Sequence, residues 1–158
     1  MTEVGPSARY FEDFSPGDQF DTQGRTISDV ENTMWTMFTG DMNPMHVDNE
    51  YARENGLFGG RFPAGLSVVA VASGLTERLG LFAGTGLAMT GQSIQYHQAV
   101  LIGDTIRVRL TARECTPSRS KPAGRVVFDY EILKQDDMVC ISGDCTYFLA
   151  SRSEAPRG

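Results

Sequence analysis

The stretch FTGDMNPMHVDNEYA, residues 38–52, gathers an aspartate, an asparagine, a proline, the first of only two histidines and a second aspartate into a short polar interval. Asp41 and His46 lie five positions apart, which separates them by about 140° on a helix and puts them on opposite faces of a strand. Neither regular element brings the two side chains to one point. Asn43 precedes Pro44 and is thereby pushed toward extended conformations, so the segment reads as a bent loop between two helices, and a loop can make the pair converge. A carboxylate and an imidazole that meet can hold one water, one group taking its proton while the other fixes the oxygen. That is the chemistry of hydration or hydrolysis. The Asn43 amide either orders the loop or holds a substrate, and Asp48 fits a helix cap better than a catalyst. The same spacing also has a purely structural reading, in which Asp41 closes a helix turn and His46 is satisfied by backbone. A metal centre needs three or four ligands; Asp41, His46, Asp48 and the distant His97 make a poor set, and none is expected.

A second chemical signal follows at once. In GGRFPAGLS, residues 59–67, Pro63 and Gly65 open an apolar segment, where the unpaired N–H groups and dipole of a helix start favour developing negative charge. An N–H aimed at a thioester oxygen stabilises the enolate formed when a nucleophile adds to a conjugated double bond, and such donors are worth roughly 10²–10³ in rate. The competing reading is that Gly65 simply lets the helix begin against a sheet.

The elements that must position these groups are marked locally. Ser28 with Glu31 forms a capping box ahead of Val30, Met34, Met37 and Phe38 at helical spacing, and Gly40 stops that helix. Asp48 caps a short second helix that Gly56 ends. Residues 65–79, GLSVVAVASGLTERL, have no polar face over their first three turns, so they read as a core helix surrounded by protein on most sides. Beyond residue 88 the period changes. Ile106, Val108, Leu110 and Ala112 alternate with Arg107, Arg109, Thr111 and Arg113, as in a strand with one wet face. Similar runs at 89–100, 125–135 and 138–150 make four long meandering antiparallel strands, which a strand near 19–27 could join. One buried helix followed by such strands predicts an α+β layer fold, a curved antiparallel sheet packed on the helix. Its open edges make a homodimer the default expectation.

Composition narrows the function classes. The 158 residues suit one domain, and 41% hydrophobic with 22% charged residues is ordinary for a soluble globular chain. Twenty acidic against fourteen basic residues, the latter scattered, leave no footprint for nucleic acid. Cys115, Cys140 and Cys145 show no CxxC spacing, which fits reduced thiols in cytoplasm and neither a disulfide framework nor a zinc site. The first ten residues lack a secretion-signal pattern, and the longest uncharged run, 62–76, is too short for a membrane span. A soluble cytoplasmic location is expected.

Three segments together, GDMNPMHVDNEYA, FGGRFPAGLSVVAVASGL and VLIGDTIRV, resemble the MaoC-like dehydratases, which include the R-specific enoyl-CoA hydratases. The similarity runs over about residues 10–150, and the Gly-Asp-x-Asn-Pro-x-His core is a specific motif. The resemblance implies a hotdog fold, with a long central helix wrapped by a curved antiparallel sheet, as a single domain over residues 8–150 with loose termini at 1–7 and 151–158. It further implies a hydro-lyase acting on acyl-CoA thioesters, with coenzyme A entering only as part of the substrate and no metal or redox cofactor. Asp41 and His46 fall on the family's catalytic pair and Gly65 on its carbonyl-binding glycine. Ser73 matches a serine near the acyl pocket, and Asn43 and Ala64 join it as substrate-binding candidates. Many members carry histidine where this chain has Ala64, which leaves the acyl preference open. Trp35, Phe58 and Phe62 are candidate acyl walls, and Arg61, Arg107, Arg109 and Lys121 candidate partners for the coenzyme phosphates. A hotdog thioesterase and a non-catalytic acyl-CoA-binding subunit are the alternatives, and a homodimer or higher homo-oligomer is expected.

Overall fold

A computed structural model describes residues 8–152. After a short 3-10 turn (Phe11–Asp13), two brief strands, β1 (Gln19–Asp21) and β2 (Arg25–Thr26), lead into helices α1 (Asp29–Thr39), α2 (Pro44–Val47), α3 (Asn49–Asn55) and α4 (Gly65–Glu77). Strands β3 (Gly86–Gln92), β4 (Gln95–Tyr96), β5 (Thr105–Pro117), β6 (Ala123–Lys134) and β7 (Val139–Ala150) follow among the described residues. All seven strands form one antiparallel sheet in the order β1-β5-β6-β7-β3, with β2 also on β5 and β4 also on β7. The α+β class is the one expected. The meander is not continuous, however: β5, β6 and β7 follow one another, whereas β3 skips β5 and pairs with β7 at the far edge.

The sheet sorts its residues by the period of two. Ile106, Val108, Leu110 and Ala112 of β5 point into the core, while Arg107 pairs with Asp21 and Asp137 on the outer face and Arg109 also meets Asp21. Against the inner face lies α4, through Val68, Val69, Ala72 and Leu75. Phe14, Phe82, Phe128 and Tyr147 close the far end of this core, with Phe82 stacked on Tyr147 at 4.3 Å.

Two expectations about the helices are corrected. First, α4 is buried on one side only: Leu66, Ala70, Ser73 and Gly74 are exposed in the single chain, so its apolar character exceeds what its own sheet covers. Second, α1 has the predicted Ser28/Glu31 capping box and its Gly40 stop, at φ 74°, yet its apolar stripe faces outward. Val30, Met34, Met37 and Phe38 are 66–89% exposed, and the residues that α1 buries are Asn32 and Thr36. Asn32 turns inward because its amide reaches a main-chain carbonyl of the next helix, a contact that periodicity does not encode. Among the described residues no helix is long and apolar enough to cross a membrane.

Candidate active site

The segment between α1 and α3 is shaped by caps. Gly40 takes the left-handed conformation that releases the chain from α1, and the Asp41 N–H then donates to Thr39 Oγ1 at 3.3 Å. Asn43 Oδ1 accepts from the Met45 N–H at 3.1 Å and Pro44 sits at the first helical position, so residues 44–47 form one helical turn where a bare loop was expected. Asp48 accepts from the Tyr51 N–H at 3.0 Å and starts α3, the cap read from the sequence. The Asn43 side chain therefore orders the segment, and it does not line the adjoining cavity.

This backbone brings Asp41 and His46 together. His46 Nε2 lies 3.9 Å from Asp41 Oδ2, with the imidazole 11% and the carboxylate 41% exposed. On its other side the ring meets the Phe62 carbonyl through Nδ1 at 2.8 Å. A carbonyl only accepts, so Nδ1 carries the hydrogen in this contact and the neutral ring keeps a lone pair on Nε2. The 3.9 Å gap is too long for a direct hydrogen bond but suits a bridge. A water at about 2.8 Å from both atoms would see them about 90° apart, within the range that its donor and acceptor directions span. The Phe62 ring packs edge-on against His46 at 5.2 Å and against Phe58 at 5.0 Å, which holds the imidazole from turning.

The pair opens into a cavity of about 650 Å³. Its near wall is formed by Asp41, His46, Phe58, Phe62 and the start of α4 from Pro63 to Leu66. The run from Tyr96 to Val100, leaving β4, lines it as well. Ala64 precedes the first residue of α4 without a side-chain cap, and no main-chain carbonyl among the described residues accepts from the Gly65 N–H. A free donor at a helix start thus borders the same space as the Asp41/His46 pair. The need for glycine itself has a different origin from substrate access: a Cβ at residue 65 would lie 2.5 Å from Cε1 of Tyr96, whose ring rests on this backbone.

The remaining candidates divide. Trp35, Phe58 and Phe62 all line the cavity. Ser73 does not; it lies on a neighbouring cavity of about 290 Å³ under the sheet, which shares only Trp35 and Leu66 with the first. Arg61 pairs with Asp29 at 2.9 Å, Arg107 and Arg109 belong to the outer face of the sheet, and Lys121 is on the turn after β5, so none of the four cations reaches the cavity. His97, which the sequence places far from the motif, lines the same cavity with Nε2 2.7 Å from Ser142 Oγ. Nothing local could have flagged it, because a separate strand carries it to the site. Buried Cys145 and Tyr130, on the second cavity, are both pushed up to about 12, first by burial, and stay protonated at neutral pH.

The helix wrapped by one antiparallel sheet, with a polar pair at the helix start, defines a hotdog domain. A conserved hypothetical protein of Mycobacterium tuberculosis described as a double hotdog fold superposes with a TM-score of 0.83 at 18% identity, covering 98% of this chain and 48% of that one. The sequence model of the MaoC like domain matches residues 13–129, and the chain belongs to that family. It is 30% identical over 131 residues to the (R)-specific enoyl-CoA hydratase of Rhodospirillum rubrum, covering 77% of this chain and 88% of the relative. It is also 30% identical over 123 residues to the MaoC protein of Klebsiella aerogenes, covering 76% of this chain but spanning only 35% of that longer protein.

Proposed function

We propose that the domain adds water across the double bond of a trans-2-enoyl-CoA thioester, or removes it in the reverse direction. The observation that carries the reading is the 3.9 Å separation of Asp41 Oδ2 and His46 Nε2, with Nδ1 pinned by Phe62 and the pair facing the cavity that Gly65 opens. In hydration, the bridged water loses a proton to the pair as its oxygen bonds to C3 of the enoyl group. The π electrons move to the thioester oxygen, where the Gly65 N–H and the start of α4 receive the charge. The enolate then collapses and C2 takes a proton, so that one water has been added in total. No metal or redox group takes part, and coenzyme A is present only as the carrier of the acyl chain. The acyl tail runs past Trp35 and Leu66 into the second cavity, where Ser73 meets it.

The working unit is a homodimer joined along β3. This strand ends the sheet, is exposed at every residue and carries no charge or proline to blunt its edge. The fit of one chain to about half of a double hotdog supports the same arrangement. The test is crotonyl-CoA, the four-carbon enoyl thioester, followed by absorbance of the conjugated system and by free thiol. Loss of enoyl absorbance without thiol, abolished in Asp41→Asn while acyl-CoA binding persists, is expected. Thiol release with the double bond intact would replace the reading by thioester hydrolysis, and full hydration by the Asp41→Asn protein would remove the pair from the mechanism.

A further inference from the structure

We propose that Asn32, on the inner side of α1, is a positioning residue that holds His46 at the separation from Asp41 that admits one water. The inference rests on the Asp41/His46 reading above.

Asn32 is 1% exposed, an unusual setting for an amide, and its Nδ2 donates to the main-chain carbonyl of His46 at 2.9 Å. That carbonyl needs such a donor. It belongs to the four-residue turn α2, too short to satisfy its own last carbonyls, and no backbone N–H among the described residues reaches it. The orientation of the amide follows from the same contact, since a carbonyl faces an N–H and repels an oxygen. The other half of the amide stays unpaired: among the described residues Asn32 Oδ1 has no partner, although it is buried. An orphaned buried acceptor is a cost that an apolar residue of the same size would avoid. What the position gains in exchange is the bond to His46.

His46 is thus clamped at two points from two elements. Asn32 of α1 holds its carbonyl, and the Phe62 carbonyl ahead of α4 holds Nδ1. The freedom left to Nε2 is small, and the geometry explains why it matters. Closing the 3.9 Å gap by about 1 Å would turn it into a direct contact of 2.7–2.9 Å with no place for water between the two atoms. Opening it beyond about 5.6 Å, twice a hydrogen-bond length of about 2.8 Å, would take one of them out of reach of a shared water. A misplacement of about 1 Å is the scale at which catalysis falls about 100-fold. The clamp acts through the main chain, so it should influence turnover more than substrate binding: Asn32 does not line the cavity where the acyl-CoA would lie.

The test uses the full chain with Asn32→Leu, which keeps the branching at Cγ and removes the donor, and Asn32→Asp, which keeps the size and shape and replaces the donor by an oxygen. Asn32→Ser, which adds no bulk and no charge, guards against loss of folding. On crotonyl-CoA, kcat should fall roughly 10- to 100-fold with KM within about threefold of the parent. The ¹⁵N ring resonances of His46 should lose the single-tautomer pattern of a fixed Nδ1–H in the same variants. Variants whose kcat stays within twofold and whose His46 ring spectrum matches the parent would overturn the proposal. A parent protein that turns over no enoyl-CoA would instead sink the hydration reading, and the ring spectra of the three variants would still decide whether Asn32 fixes the imidazole.

Discussion

Gly65→Ala is the most informative single change at the start of α4. An added Cβ would lie 2.5 Å from Tyr96 Cε1, 2.9 Å from Cζ and 3.1 Å from the hydroxyl oxygen. Ordinary contact between such atoms begins near 3.5 Å, so ring and backbone must separate by about 1 Å. Tyr96 is 54% exposed and sits on a two-residue strand, so the ring yields before the helix does, and the cost should fall at about 1–2 kcal/mol, in the lower part of the range for overpacking. For a chain of this size that corresponds to a drop of roughly 2–8 °C in melting temperature. Removing the ring first should abolish most of that penalty. In a double-mutant cycle of Gly65→Ala and Tyr96→Ala, urea denaturation should give a coupling of about 1 kcal/mol or more, with the double variant more stable than the sum of the single effects allows. Turnover should follow the same pattern, because the N–H survives the substitution and only the displaced ring obstructs the cavity. Strictly additive stabilities would refute the contact as the reason for glycine. A double variant that regains stability but not turnover would show instead that the acyl group itself needs the space at residue 65.

Three further outcomes follow from the same geometry. Trp35 borders both cavities, so Trp35→Ala should widen the passage between them and raise kcat/KM for an eight-carbon enoyl-CoA relative to crotonyl-CoA by about tenfold or more, at ~0.8 kcal/mol for each methylene more deeply buried; an unchanged ratio in a chain-length series would disprove this route for the tail. Asp104 is opposed by burial, which raises a carboxyl, but hydrogen bonds from Gln135 Nε2, the Leu101 N–H and Lys134 Nζ, all at 2.8–2.9 Å, outweigh it and hold the group below the usual carboxylate range. The folded state therefore binds fewer protons there than the unfolded chain, and the stabilisation is complete above about pH 5 and lost as pH falls through the lowered value. Asp104→Asn should cost about 1–3 kcal/mol at pH 7 and flatten the acid side of the stability profile, as urea midpoints between pH 3 and 7 would show. Cys140 and Cys145, both raised by burial, should resist alkylation at pH 7.5 in the native protein and react at ordinary thiol rates in urea; fast native labelling of either would contradict their placement.

What was legible in the sequence is what short-range forces decide. The Ser28/Glu31 box, the Asp48 cap and the alternation over residues 106–112 each join groups a few positions apart, and each stands where expected. The Asp41/His46 pair belongs to the same class: Gly40, Asn43 and Pro44 set its geometry within seven residues. What local signals left open depends on distant partners. The outward stripe of α1 follows from Asn32 reaching across 14 positions, and eight residues of helix carry Ser73 about 12 Å from Gly65 onto the second cavity. Strand β3 could not be placed from chain order, since its partner β7 lies beyond β5 and β6 in the sequence. The run from Tyr96 to Val100, with His97, reaches the cavity through the pairing of β4 with β7 and is 50 or more positions from the motif. A self-contained turn can thus preserve its chemistry while the walls around it change with sheet topology. The Asp41/His46 approach was therefore readable where the walls of the cavity were not: the first is written in one loop, and the second in the meeting of α1, α4 and β4.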